Sequence, residues 1–217
     1  MTAPLGSALL FDLDETLVGL RPGAPGLEAL RYDLLSVYQA HDLVPAHRSI
    51  FRMYAELSDL GHRDVAHRTI DRHEVRWAEE SAVSLIDAGT VATLTALRGS
   101  TALVTNNGRG CVDVLMRRGL LPDVFDVVVA RDDVERLKPD PEPVLRAICA
   151  VAGSGERPTV FFGDSVSDRE AAKAARSATT APLAFVHVDA SRGVVVSTAL
   201  LDQALTPTFP NTPKDFA

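Results

Sequence analysis

Residues 8–18 read Ala8-Leu9-Leu10-Phe11-Asp12-Leu13-Asp14-Glu15-Thr16-Leu17-Val18. A short apolar run ends in two carboxylates with a single leucine between them. Uninterrupted apolar runs of this length suit a strand covered on both faces, as in a parallel sheet sandwiched between helices. A carboxylate at the end of such a strand is costly to desolvate, so it needs a metal, a cation or a shell of hydrogen bonds. The carboxyl ends of parallel strands are also where ligands gather in open α/β sheets. On extended backbone, residues two apart leave on the same side, so Asp12 and Asp14 are expected to point together.

Similar runs recur along the chain. Together with Ser7–Asp12, the stretches Thr101–Thr105, Val124–Ala130, Thr159–Gly163 and Ala184–Val188 are short, apolar and rich in β-branched or aromatic residues. Helix-period segments lie among them: Cys111–Arg118 closed by Gly119, Pro141–Val151 with Pro141 in its first turn, and the Ala-rich Asp168–Arg176. Strands alternating with helices predict an α/β fold with a doubly wound parallel sheet flanked by helices. Residues 20–88 break the rhythm. They offer no strand, and their apolar residues follow helical spacing at Leu27, Leu30, Leu34, Leu35, Val37 and Tyr38, at Ile50, Phe51, Met53, Tyr54 and Leu57, and through Val65–Val83. The expected division is a core of residues 1–19 and 89–205, an inserted helical domain of 20–88, and an irregular Pro-containing tail of 206–217. Arg21-Pro-Gly-Ala-Pro-Gly and Asp87-Ala-Gly-Thr would be the linkers into and out of the insert.

The bulk properties narrow the function classes. The 217 residues carry a net charge of −7, and no dense block of Lys and Arg interrupts them. Arg48, Arg52, Arg63, Arg68, Arg72 and Arg76 are interspersed with acids, a pattern of solvated helix surface. Binding to nucleic acid or to an anionic membrane is not expected. Two cysteines, Cys111 and Cys149, do not make a disulfide scaffold and are expected to be buried thiols. No run approaches the roughly 18 apolar residues of a membrane span, so a soluble, cytoplasmic protein is the default expectation.

Three further constellations accompany the opening pair. Thr159-Val-Phe-Phe-Gly163 leads into Asp164-Ser-Val-Ser-Asp168. Ser167 or Asp168 can cap the helix that follows, which leaves Asp164 unexplained. Two buried strands that both end in acids repel each other where they meet, and a hard divalent cation such as Mg2+ removes that conflict. Leu103-Val-Thr105-Asn106-Asn107-Gly ends a strand in hydroxyl and amide groups. These suit either an Asx or Ser/Thr turn or a neutral cradle for anionic oxygens. Lys138, in Leu-Lys-Pro-Asp-Pro, supplies a cation on a stiffened loop.

Taken together, Asp12-Leu-Asp14-Glu-Thr16, Thr105-Asn106, Lys138-Pro139 and Gly163-Asp164 with Asp168 resemble the four motifs of the haloacid dehalogenase-like hydrolase superfamily. They come in the family's order across roughly 8–188, and the helical insert is similar to the family's type 1 cap. The resemblance implies a Rossmannoid core and a Mg2+-dependent phosphatase acting on a small phosphorylated substrate, similar to phosphoglycolate phosphatases. It implies Asp12 as the nucleophile forming an aspartyl-phosphate, and Asp14 as general acid and then base. Thr105, Asn106 and Lys138 would bind the phosphoryl group. Asp12, the Asp14 backbone carbonyl and Asp164 would hold the metal, with Asp168 acting through water or a neighbouring group. The family's dehalogenases lack a carboxylate at the place of Asp14, so its presence favours phosphate esters. A sugar-phosphate mutase and a non-enzymatic phosphate-responsive regulator are the alternatives. One departure stands out: related phosphatases commonly continue the last motif into Ala-Gly, whereas here Ala174-Ala175 leads into Arg176-Ser177-Ala178.

Overall fold

The computed structural model describes residues 6–97, 99–152, 157–180 and 182–205. The expected irregular tail, 206–217, lies outside the described residues. Strand β1 (Ala8–Phe11) is the middle of a five-stranded, all-parallel sheet. Strand β4 (Thr101–Val104) lies on one side of it and β6 (Thr159–Gly163) on the other. Strands β5 (Val127–Val129) and β7 (Leu183–His187) form the edges. In register, Phe11 sits between Leu103 and Phe162, so the three central strands end at nearly one level.

The absence of alternation in the opening run has a direct cause. Leu9 and Phe11 pack on one face with Leu103, Val160, Phe162 and the helix α5 residues Cys111, Val112 and Leu115 (α5, Arg109–Arg117). Ala8 and Leu10 face the other way. They meet Ala102, Val104, Phe161, helix α6 (Glu142–Ala152) and the small Ala171, Ala172 and Ala175 of helix α7 (Val166–Ala178). Both faces are dry, so every residue of β1 is apolar. Gly119 follows α5 with φ of 70°, a conformation that ends a helix cheaply only when the residue is glycine.

Three helices fill the interruption: α1 (Gly23–Ala40), α2 (Ile50–Asp59) and α3 (Arg63–Glu80). Their shared core is Leu30, Leu34, Val37, Tyr38, Met53, Tyr54, Leu57, Ala66 and Ile70. Leu27 and Leu35, counted with this stripe in the sequence, turn outward and are 39% and 40% exposed.

Several expectations are corrected here. The stretch after α3 is a strand, β3 (Val83–Ser84), paired antiparallel with β2 (Val18–Gly19), so the helix-period reading through Val83 runs three residues too far. The two chain crossings thus form a narrow ribbon in place of free linkers. Gly23–Gly26 already belong to the first turn of α1, and Asp87 caps helix α4 (Ala88–Ala96) by accepting the Thr90 N–H at 2.7 Å. Strand β5 covers only three of the seven residues expected, and the Ala-rich helix begins at Val166, two residues early. Cys111 is buried, and burial pushes its thiol well above the usual range, but Cys149 is exposed. Helix α8 (Thr198–Leu205) packs Leu201 and Ala204 against α4.

Candidate active site

The parallel ladder carries on for one bond past β1: the Asp12 N–H donates to the Phe162 carbonyl at 2.8 Å. Asp12 is thereby held at the carboxyl edge of the central strand, buried, with its side chain next to the ends of β4 and β6. The chain then folds back on itself. Leu17 and Val18 N–H groups both donate to the Leu13 carbonyl, and Glu15 adopts φ of 56° to permit the turn. This places the Asp14 carboxylate where it accepts the Leu20 N–H at 2.9 Å.

Lys138 reaches the same point from the loop after β5. Its Nζ donates to Asp12 Oδ1 at 2.5 Å and to the Val104 carbonyl at 2.8 Å, and lies 2.6 Å from Asp168 Oδ1. Burial works against its charge, but Asp12 and Asp168 more than offset that and hold it above the usual lysine range. Asp168 projects back from the first turn of α7. Its other oxygen accepts the Ser165 N–H and hydroxyl, and Ser165 Oγ accepts the Asp168 N–H, a reciprocal cap. Ser165 is therefore the capping residue, in place of Ser167 or Asp168 as read from sequence. Gly163 is required by this packing, since a Cβ there would stand 2.7 Å from Asp168.

Asp12, Asp164 and Asp168 each offer a carboxylate oxygen, and the three oxygens lie within 4.8 Å of one another. Three carboxylates against one ammonium leave two negative charges in a largely buried space. The strain shows in proton affinity. Burial, then Asp168, pushes Asp12 well above the usual carboxylate range against the pull of Lys138. Burial, then Asp168, pushes Asp164 up to about 6. Oxygen donors, excess negative charge, and a buried Asp168 Oδ1 that has an ion-pair contact but no aligned hydrogen bond all fit a hard dication such as Mg2+. The Asp14 carboxylate is outside this group of three, and burial raises it to about 6.

Thr105 and Asn106 follow β4 and are almost fully buried. The Asn106 side chain is spent on Lys138: its Nδ2 donates to the Lys138 carbonyl and its Oδ1 accepts the Lys138 N–H, both at 3.0 Å. The Asn106 side chain thus holds the lysine loop, whose Lys138–Pro139 peptide is cis. Thr105 Oγ1 donates to Asn107 Oδ1 at 2.8 Å and accepts the Asn107 N–H at 3.0 Å.

Sequence reading missed two residues beside the site. Glu74 of α3 is 2% exposed and Arg131 is fully buried, and they form a two-pronged ion pair at 3.0 and 2.9 Å. Glu74 sits among charges that read as solvated surface. Of the arginines in that pattern, Arg48, Arg52, Arg68, Arg72 and Arg76 are indeed exposed, but Arg63 is partly buried against Glu135 and the Val134 carbonyl.

Comparison with known proteins agrees with this geometry. Residues 7–176 match the family model described as haloacid dehalogenase-like hydrolase. The chain is 36% identical over 112 residues to the phosphoglycolate phosphatase of Salmonella typhimurium, 51% of this chain and 44% of that protein. It is 30% identical over 183 residues to the plasmid phosphoglycolate phosphatase of Cupriavidus necator, 78% and 77% of the two chains. The matches to several of these relatives span less than half of their length. Among solved structures, a candidate phosphoglycolate phosphatase from Lactobacillus plantarum has 25% identity and a TM-score of 0.52, covering 83% and 87% of the two chains. CbbY from Rhodobacter sphaeroides, solved with xylulose-1,5-bisphosphate, has 21% identity and a TM-score of 0.56 over 85% and 86%, a likeness of fold.

Proposed function

Because the chain belongs to the haloacid dehalogenase-like hydrolase family, we propose that it is a Mg2+-dependent phosphatase that hydrolyses a small phosphorylated metabolite through an aspartyl-phosphate on Asp12. One observation carries the reading: a lysine-paired Asp12 at the end of the central strand stands two residues from Asp14, a separately placed carboxyl that burial keeps protonatable near neutral pH. A nucleophile and a proton donor in unlike surroundings are what phosphate-ester cleavage requires.

Asp12 attacks phosphorus, and the ester bond to the leaving oxygen breaks as Asp14 delivers a proton to it. Asp14, now ionised, takes a proton from the water that releases phosphate and regenerates Asp12. Lys138 and the Thr105 hydroxyl face the transferring oxygens and reduce anion–anion repulsion. Asp12, the Asp14 backbone carbonyl, Asp164 and Asp168 would hold Mg2+. When bound, the ion supplies charge neutralisation and fixes the orientation of the phosphoryl oxygens. Relatives named phosphoglycolate phosphatases put a phosphorylated hydroxy acid first in the panel to be tried.

The test is a panel of phosphate monoesters with Mg2+, scored for both phosphate and isomeric ester. Phosphate release is expected; isomer formation without it would replace hydrolysis by a mutase reaction. EDTA is expected to abolish release and added Mg2+ to restore it, and full activity in EDTA would contradict the metal role. A second prediction separates Asp14 from Asp12. In kcat/KM, Asp14→Asn is expected to lose about 10^2- to 10^4-fold on an alkyl phosphate. It should lose much less on p-nitrophenyl phosphate, whose leaving group departs without a proton. Equal losses on both esters would remove Asp14 from the general-acid role.

A further inference from the structure

Helix α5 opens at Gly108, a residue with no side chain to cap the exposed N–H groups of the first turn. Those groups are capped from elsewhere. The Gly108 N–H donates to Glu74 Oε2 at 2.9 Å, and the Arg109 N–H to Asp132 Oδ2 at 2.6 Å. Glu74 comes from the inserted helix α3, so a carboxylate from the cap closes the helix that carries the cradle loop. The approach is close: a Cβ on Gly108 would stand 2.4 Å from Asp71 Oδ1 and 2.7 Å from Arg131 Nη2.

Glu74 makes four hydrogen bonds, filling both oxygens. Oε1 accepts Asn107 Nδ2 and Arg131 Nη1, each at 3.0 Å, and Oε2 accepts Arg131 Nη2 and the Gly108 N–H, each at 2.9 Å. From here two branches run to the site. In the first, an ionised carboxylate can only accept, so Asn107 turns its NH2 to Glu74 and its carbonyl oxygen to Thr105. That makes the Thr105 hydroxyl the donor to Asn107 Oδ1 and fixes its rotamer until a phosphoryl oxygen competes for the hydrogen. In the second, Arg131 Nη1 also donates to the Asn106 carbonyl at 3.0 Å, and the Asn106 side chain grips the Lys138 backbone on both sides.

We propose that Glu74 is a positioning residue borne by the cap, which through Asn107 and through Arg131–Asn106 sets both phosphate-facing groups, Thr105 and Lys138. Its functional consequence rests on the phosphatase reading. Docking of α3 and readiness of the phosphate cradle are then one event. Arg63 with Glu135 and His67 with Asp132 add to the docking, and His67 Nδ1 and Asp71 also lie against Arg131, but Glu74 alone of the α3 side chains bonds both Asn107 and Arg131 among the described residues.

The experiment compares the parent with Asn107→Leu and with the double variant Glu74→Met/Arg131→Met, which removes both buried charges together and so avoids leaving one unpaired. Three quantities are read: the thermal midpoint, the inhibition constant of inorganic orthovanadate as a phosphate mimic, and amide hydrogen exchange at Lys138. The double variant is expected to fold and melt near the parent. Its vanadate binding and kcat are expected to fall by about 10- to 100-fold, as when groups supporting a site are lost, with faster exchange at the distant Lys138 amide. Asn107→Leu, which leaves the ion pair intact, is expected to weaken vanadate without altering Lys138 exchange. A folded double variant with parental vanadate binding and parental Lys138 exchange would overturn the proposal. If the parent releases no phosphate from any ester, the phosphatase reading fails on its own, and Lys138 exchange still decides the wiring.

Discussion

Asp12→Asn is expected to lower phosphate release by on the order of 10^3-fold or more, the scale for loss of an essential catalytic group, while the metal-free protein melts no lower than the parent. The two halves come from the same burial. Asparagine has the size of aspartate but cannot attack phosphorus as an anion. Burial and Asp168 raise the proton affinity of Asp12 in the folded chain, so ionising it costs the folded state more than the unfolded one. That cost appears as pH rises above the unfolded carboxylate value of about 3.9 and persists at neutral pH, where asparagine escapes it. Lys138 keeps two partners, Asp168 and the Val104 carbonyl. Phosphate release by the variant equal to the parent's would remove Asp12 from the chemistry. A large loss of stability with the loss of activity would make its role structural.

The largest effect on stability is expected at Arg131, which touches no part of the reaction. Its guanidinium is fully buried and spends its donors on Glu74, the Asn106 carbonyl and, at 3.4 Å, His67 Nδ1; the Tyr54 ring centroid is 5.7 Å away. Arg131→Ala would leave Glu74 charged and buried, with only Asn107 and the Gly108 N–H against it. Breaking a buried pair in this one-sided way costs about 3–5 kcal/mol. At about 2–4 °C per kcal/mol for a chain of this size, the midpoint should fall by about 6–20 °C. Thermal unfolding followed by circular dichroism reads it directly. A shift within 2 °C, about 1 kcal/mol or less on the same scale, would mean that water reaches Glu74 and that the pair is not the buried joint described here.

What could be read from sequence follows the reach of the interactions. The central strands were legible because burial on both faces removes the alternation that would otherwise blur Ala8–Phe11 and Thr159–Gly163. Asp12, Asp164 and Lys138 drew notice because an acid or a lone lysine at a strand end needs a partner. The β2–β3 ribbon was hidden because two-residue strands have no period, and Val83 continues a helical spacing by chance. Glu74 and Arg131 were hidden for a different reason. Their partnership spans 57 residues, and either charge alone looks like solvated surface until the fold brings α3 onto the loop after β5. The exposure of Cys149 is not legible in the sequence, because an apolar helix pattern does not say which turn faces the sheet.

The claim at the centre is covalent: the phosphoryl group passes through Asp12. A single turnover with a 32P-labelled ester and Mg2+, quenched in acid and digested, tests it most directly. The prediction is transient label on the peptide containing Asp12, stable to acid and released by hydroxylamine, as an acyl phosphate must be, and absent from Asp12→Asn. Rapid release of labelled phosphate, with no label on that peptide at any time through the turnover, would contradict it.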